Sequence, residues 1–355
     1  WSMAQKIRIK DIARLAGVSA GTVDRVLHNR GNVSTEARRA IEAVFREVDY
    51  RPNIHLSGIS LRRRYTIVAT IPEFKQGEYW ASVHRGIQRA LDVYESIPID
   101  CRFLCYDQFD LYACRRTFEQ IAALEPDGVI IGPTFRDETI RLAEQLEEAG
   151  IPYIYIDSLI DCTSPLAAFT ADLRTCGYLV GKLIDCITPP DAEFVLFQAV
   201  RVGDASANTT VLRKRGLMEY FTEHQLTEKL HSVSFSVLQP KRNDELIGDF
   251  FERHPRVKGA IVLSSRSSVI ASYLDRHRID GVKLIGIDLT EQNVAEVKRG
   301  TIDFVLGQRP EQQGYMALRA MIRYLLHGNR PKVDNILPID IVTRENLGLY
   351  SEFNE

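Results

Sequence analysis

The sequence predicts a small all-α helix-turn-helix head joined through a short hinge to a larger α/β body of two doubly wound parallel-sheet lobes. Three observations carry this. Residues 8–34, RIKDIARLAGVSAGTVDRVLHNRGNVS, hold two short apolar-periodic segments that meet at the tight turn Ala16-Gly17-Val18-Ser19, the pattern that presents a helix to a DNA major groove. From Tyr65 onward, short apolar runs alternate with amphipathic stretches, as repeated β-α units require. Charge divides at the same place: residues 1–64 carry 13 Lys and Arg against 6 Asp and Glu, and the remainder carries 32 against 41. A basic head on an acidic body is the electrostatic footprint of a nucleic-acid-binding module attached to something else.

The 355 residues suffice for two or three domains with cores of their own. Hydrophobic residues make up 45% and charged residues 26%, a globular composition. No run of about 18 apolar residues exists, so no membrane span is expected. The start, WSMAQKIRIK, lacks an apolar signal-peptide segment, and the expectation is a cytoplasmic protein. The six cysteines read as reduced, buried thiols. Their spacing suits no zinc site, and no metal or cofactor is expected. G-x-S-x-G, phosphate-loop and dinucleotide patterns are missing, which argues against an enzyme.

In the head, taken as residues 3–50, helix 1 is predicted over Ile9–Ala16, with Ile9, Ile12, Ala13 and Ala16 inward. Gly17 supplies the left-handed residue that ends it. Ser19 caps helix 2, whose Val23, Val26 and Leu27 point inward. Ser34 caps helix 3, with Ile41, Val44, Phe45 and Val48 as its buried stripe. These helices fold only around a shared core, leaving the outer face of helix 2 free. Residues 51–65 form the hinge, where Pro52 fixes a turn and Gly58 disfavours helix by about 1 kcal/mol relative to alanine. Arg62, Arg63 and Arg64 either grip phosphates or solubilise the linker.

The body, residues 66–355, is expected to hold strands at 66–71, 101–105, 128–132, 152–156, 194–198, 232–237, 259–263, 283–287 and 303–307. About nine strands suit two open sheets better than one. Ligands of such sheets bind outside the strands' carboxyl ends.

The order DIARLAGVSAGTVDRVL, NVS, YRPN resembles the lambda-repressor-like DNA-binding head of the LacI family of bacterial regulators, over about residues 8–61. The resemblance implies that Ala20, Gly21 and Arg25 face bases and that Thr22, His28, Asn29 and Ser34 meet phosphates. It also implies that the hinge orders on operator DNA and inserts Ile59, accompanied by Leu56, into the minor groove. Ala20 and Gly21 are too small for bidentate base contacts, so direct readout rests largely on Arg25, whose fork fits guanine. Asp24 accepts from cytosine, pairs with Arg25, or is simply a solvated charge.

The body resembles periplasmic sugar-binding proteins of the ribose-binding type and the LacI effector domain. Arg213-x-x-Gly216, Gly286-Ile287-Asp288, Gly300-Thr301 and the stretch Gln308 to Gly314 carry that likeness. It implies lobes of 66–171 plus 309–337 and of 172–308 plus 338–355, crossed near Asp172, Arg309 and Pro338. In the cleft, Tyr79 and Trp80 match an aromatic plate, and Asp157, Arg213, Asp288 and Gln308 match a polar clamp. Ser158 and Ser264 stand where the ribose pattern has Arg and Asn, so the effector is expected to be another monosaccharide, a sugar acid or a phosphosugar. His84, Arg85 and Arg266 are further candidates to reach the cleft.

The resulting expectation is a homodimeric or tetrameric regulator, a repressor, whose affinity for a near-palindromic operator is set by a sugar-like effector. A sugar-transport binding protein without a DNA role is the alternative. An enzyme using Asp157 and Asp288 as a carboxylate pair is a third reading.

Overall fold

The computed structural model describes residues 9–27, 33–47, 63–199, 208–236 and 239–351. The chain divides into two compact units, residues 1–62 and 63–355.

In the first unit, α1 spans Ile9–Leu15, α2 Ala20–Leu27 and α3 Thr35–Glu47. Ile12, Ala13, Val23, Ile41 and Val44 close a miniature core, with Ala16, Val18 and Val26 packed against it. Gly17 sits at φ 64°, a backbone that side chains disfavour, and lets Val18 N–H reach back to the Ala13 carbonyl at 3.0 Å. The Ser19 hydroxyl accepts from Thr22 N–H (3.1 Å) and the Ser34 hydroxyl from Ala37 N–H (3.2 Å). Each serine therefore satisfies a donor that its helix start leaves open.

The second unit holds two six-stranded sheets. The first combines β1 (Tyr65–Thr70), β2 (Ile99–Phe103), β3 (Gly128–Ile131), β4 (Tyr153–Asp157), β5 (Ala167–Ala171) and β11 (Asp334–Leu337). Its order is β11-β5-β4-β3-β1-β2, with every pairing parallel. The second combines β6 (Glu193–Ala199), β7 (Leu230–Phe235), β8 (Val257–Val262), β9 (Lys283–Ile287), β10 (Phe304–Gly307) and β12 (Asp340–Val342). Its order is β12-β10-β9-β8-β6-β7, and β12 alone runs antiparallel.

Helices cover both faces of each sheet, so the strands read as continuous apolar runs rather than alternating ones. Ile67 and Ala69 enter one core and Val68 the opposite one. Val195 and Phe197 divide from Phe194 and Leu196 in the same way. On the first sheet, α4 (Tyr79–Val93) packs against α12 (Pro310–His327); on the second, α7 (Leu173–Ile187) packs against α8 (Asn208–Glu223). Glycines bring each pair close. A Cβ on Gly86 would lie 2.0 Å from the Glu311 carbonyl oxygen, and one on Gly177 would lie 1.8 Å from that of Arg213.

Among the described residues the chain passes between sheets three times: from β5 to α7 at Asp172, from β10 to α12 at Gln308-Arg309, and from β11 to β12 at Pro338-Ile339. Two passages are tied together, because Arg309 donates to both carboxylate oxygens of Asp340 at 2.8 and 2.7 Å.

Three strands escape the sequence reading: β5, β11 and β12. AAFTA of β5 is wholly buried but offers little β-branched bulk. DNIL of β11 is a largely uncovered edge, and β12 has only three residues. The second and seventh strands also begin and end two residues earlier than expected. The cysteines correct a further expectation, since Cys114 and Cys176 are buried whereas Cys162 and Cys186 are exposed.

Candidate functional site

Two surfaces concentrate the residues singled out above. In the head, α2 presents Ala20, Gly21 and Arg25 to solvent, while Thr22 is half-buried and its hydroxyl lies 2.8 Å from that of Ser19. Ser34, at the start of α3, is exposed. With the apolar side of α2 committed to the head's core, the opposite side is a solvated helix face carrying one guanidinium and two very small residues. His28, Asn29, Leu56 and Ile59 lie outside the described residues, as does the Asp24 side chain.

In the body, one cavity gathers Tyr79, Trp80, Asp157, Arg213, Ser264 and Asp288, together with Phe109 and Arg266. It lies where the carboxyl ends of the two sheets meet, as doubly wound sheets place their ligands. Asp157 closes β4 and Asp288 follows β9, the fourth strand of each sheet in chain order. Both adopt left-handed backbone, at φ 70° and 69°. Non-glycine residues take that conformation where surrounding structure enforces it. Here it turns a carboxylate from each lobe into one cavity.

Arg213, near the start of α8, donates to the Leu263 carbonyl at 2.9 Å and to Gln308 Oε1 at 2.8 Å. Gln308 Nε2 in turn donates to Asp288 Oδ1 at 2.6 Å. Gln313, on the first turn of α12, accepts from Asp157 N–H at 2.7 Å and donates to the Gln308 carbonyl at 2.8 Å. The polar clamp is therefore bonded directly into the crossing between lobes. Gln313 was not among the sequence candidates, although it lies in the quoted QRPEQQG stretch. A glutamine among apolar helix positions is the only signal the sequence gives.

Burial governs the site's electrostatics. It lifts the Asp288 carboxyl to about 7, against the opposing pull of Arg213 and the Gln308 hydrogen bond, with Asp157 adding to the rise. Burial, then the Asp157 and Asp288 charges, holds the Tyr79 phenol well above its ordinary value. Desolvation works against the Arg213 charge, but Cys176, Asp288, Asp157 and Tyr79 more than compensate and keep it protonated. Among the described residues, the buried Arg213 Nε here has no hydrogen-bond partner. Such atoms are rare in folded proteins and mark places where a ligand or water completes the bonding.

Trp80 packs edge-on to Tyr79 with ring centroids 5.1 Å apart, and its ring fills the space beside Gly132, where a Cβ would lie 2.6 Å away. Arg266, from the second lobe, pairs with Glu78 of the first at 2.9 Å and lies 5.8 Å over the Phe109 ring. Beside it, Glu291 N–H donates to the Gly77 carbonyl at 2.9 Å. These contacts join the lobes along one side of the cavity. Ser158 is fully buried.

Three candidates do not line this cavity; the first, Gln308, is fully buried and borders an adjoining cavity with Tyr79 and Asp288. The His84 ring lies between those of Phe74 and Phe103, at 5.2 and 4.4 Å. Arg85 is drawn to Glu311 at 2.8 Å and to the Ser82 hydroxyl at 3.1 Å. His84 was named only as a further candidate to reach the cleft, and these aromatic neighbours hold its ring elsewhere.

Comparison with known proteins agrees with this architecture. Residues 8–53 match the family of bacterial regulatory proteins of the lacI family, and residues 68–329 match the periplasmic binding protein domain. The HTH-type transcriptional regulator RegA of Clostridium saccharobutylicum is 29% identical over 140 residues, 39% of this chain and 41% of that protein. The sucrose operon repressor of Staphylococcus xylosus is 25% identical over 228 residues, 64% of this chain and 66% of that one. The matches thus span less than two thirds of these curated relatives. The crystal structure of a LacI transcriptional regulator from Bacteroides fragilis superposes with a TM-score of 0.78 at 32% identity, covering 81% of this chain and all of that one. Among the described residues no helix is long and apolar enough to cross a membrane. The chain belongs to the LacI family of bacterial regulatory proteins, with a periplasmic-binding-protein domain as its body.

Proposed function

We propose that this chain is a cytoplasmic, homodimeric repressor that binds a near-palindromic operator through its head and releases or grips it according to a small sugar-like effector held between the body's lobes. One observation carries the reading. The residues suited to hold a polyol are hydrogen-bonded through Gln308 and Gln313 into the segment that joins the lobes. A ligand that competes for Arg213 or Asp288 therefore acts on the crossing itself. Only a difference in ligand affinity between two lobe arrangements can drive a response in the DNA-binding unit.

The chemistry favours a monosaccharide or a derivative. Tyr79 and Trp80 offer an apolar aromatic wall, the two aspartates accept from hydroxyl groups, and Arg213 and Arg266 supply donors. The likeness to a sucrose operon repressor supports that class. Asp157 and Asp288 serve here as clamps on hydroxyls rather than as catalytic carboxylates, since the Asp288 oxygen is already held by an amide.

The test is a thermal-shift screen of the chain against monosaccharides, sugar acids and phosphosugars, followed by operator binding with and without each hit. A hit that stabilises the chain and changes operator affinity supports the reading, provided that Asp288→Asn removes both effects. Stabilisation that survives Asp288→Asn would place the effector elsewhere.

A further inference from the structure

At the end of the second sheet opposite the cleft, Glu193, His231 and His254 converge from three separate elements. Glu193 is the first residue of β6, His231 the second of β7, and His254 caps the end of α9 (Pro240–Arg253). One ligand-type atom from each lies within 4.8 Å of the other two. His231 Nε2 is 2.7 Å from Glu193 Oε2, and the two imidazole rings are 4.2 Å apart. Sequence spacing hides the group, because 38 and 23 residues separate its members.

The surroundings aim these groups inward. The pairing of β6 with β8 slips in register between Glu193 and Phe194, and such an irregularity re-aims a side chain at a strand end. Arg256 pairs with the other Glu193 oxygen, Oε1, which leaves Oε2 toward the imidazoles. The Arg256 side chain is 78% exposed, so water screens much of its charge. Phe250 stacks on His254 at 4.7 Å and 28° and restrains that ring. The Glu193 and His231 side chains are only 13% and 27% exposed, so the group is largely covered by its neighbours.

We propose that Glu193, His231 and His254 bind a divalent transition cation of the Zn2+ class. Two imidazoles and one carboxylate are a ligand set suited to zinc, and the fourth tetrahedral position is left to water. The cation takes the place of the proton shared between His231 Nε2 and Glu193 Oε2, and that proton passes to solvent. It clips β6, β7 and the turn after α9 together. The site is structural and lies away from the effector cavity.

The full chain, stripped with a chelator, is dialysed against Zn2+ and, in parallel, Co2+. The expected result is one equivalent bound, a Co2+ spectrum without a thiolate band, and a higher melting temperature with Zn2+. His254→Gln and Glu193→Gln should each weaken binding at least tenfold and remove the melting shift, whereas Cys162→Ser with Cys186→Ser should change neither. His254→Cys, which supplies another zinc ligand, should restore binding in a folded protein. A chain that takes up no Zn2+, or whose His254→Gln and Glu193→Gln variants bind it undiminished, overturns the proposal.

Discussion

The Arg213 guanidinium donates to the side-chain oxygen of Gln308 at 2.8 Å, across 95 residues of sequence. The amide nitrogen of the same Gln308 donates to Asp288. One neutral side chain thus separates a buried cation from a buried carboxyl while bonding to both. Removing it leaves the buried Arg213 and Asp288 side chains each short of a hydrogen-bond partner, and breaking such networks costs about 3 kcal/mol. Gln308→Leu should lose stability of that order in urea denaturation and abolish effector-induced stabilisation. Gln308→Glu should retain contact with Arg213 but set a second carboxyl against Asp288. A Gln308→Leu protein with native stability would show that Arg213 and Asp288 are satisfied without it.

The Asp288 carboxyl gives the chain a pH dependence with a definite sign. Burial, its largest cause, lifts the folded-state value to about 7, whereas an unfolded aspartate titrates near 3.9. Below about pH 4 both states hold the proton and the contribution of Asp288 is fully present. As pH rises toward 7, the unfolded chain has lost its proton and the folded chain has not, so stability falls by about 1.4 kcal/mol per pH unit. Above 7 the effect levels off. The stability of the native chain relative to Asp288→Asn should therefore decline between pH 4.5 and 7 and then stay constant. Hydroxyl donors favour the ionised carboxylate, so effector affinity should rise as pH approaches 7 from below. A difference that is flat with pH would show that Asp288 is ordinary in the folded state.

The sequence made much of this fold legible because buried parallel strands announce themselves. TIVATI, GVII and KLIGI need no partner to be recognised as strands. What it hid depends on partners. Alanine-rich β5 is a strand only because β4 and β11 flank it. Gln313 matters only because folding brings it to Asp157, 156 residues away. The left-handed conformation of Asp157 and Asp288 is likewise imposed by the fold, since neither residue type demands it. Local periodicity reports which face of an element is apolar, and it is silent about which buried polar groups will meet.

Gly177 tests whether close helix packing positions the clamp. Its Cβ would overlap the Arg213 carbonyl oxygen at 1.8 Å, backbone that cannot yield without moving α8. Gly177→Ala should cost about 3 kcal/mol and weaken effector binding as well, because the displaced helix carries Arg213. Gly281 is the control: it has φ 78° and open space around its Cβ position. Gly281→Ala should cost about 1–2 kcal/mol from backbone strain alone and leave effector affinity unchanged. Equal loss of effector affinity in both variants would mean that global destabilisation, not helix spacing, sets it.

Arg25 separates base reading from phosphate gripping in the head. Its side chain stands outside the core of Ile12, Ala13, Val23, Ile41 and Val44, so Arg25→Ala should fold normally. If it reads a guanine edge, the variant loses about 1–3 kcal/mol for the preferred operator and little for unrelated DNA, while the salt dependence of binding stays the same. If it grips a phosphate instead, affinity falls alike for all sequences and the salt slope drops by about one charge. Gly21 sharpens the test, since its nearest neighbour to a new Cβ is the Ser19 hydroxyl at 3.8 Å and a larger residue fits. Gly21→Gln places an amide able to recognise adenine on the same face. It should shift the preferred operator at one base step without loss of stability. A preference unmoved by both substitutions would mean that this helix face does not enter the groove.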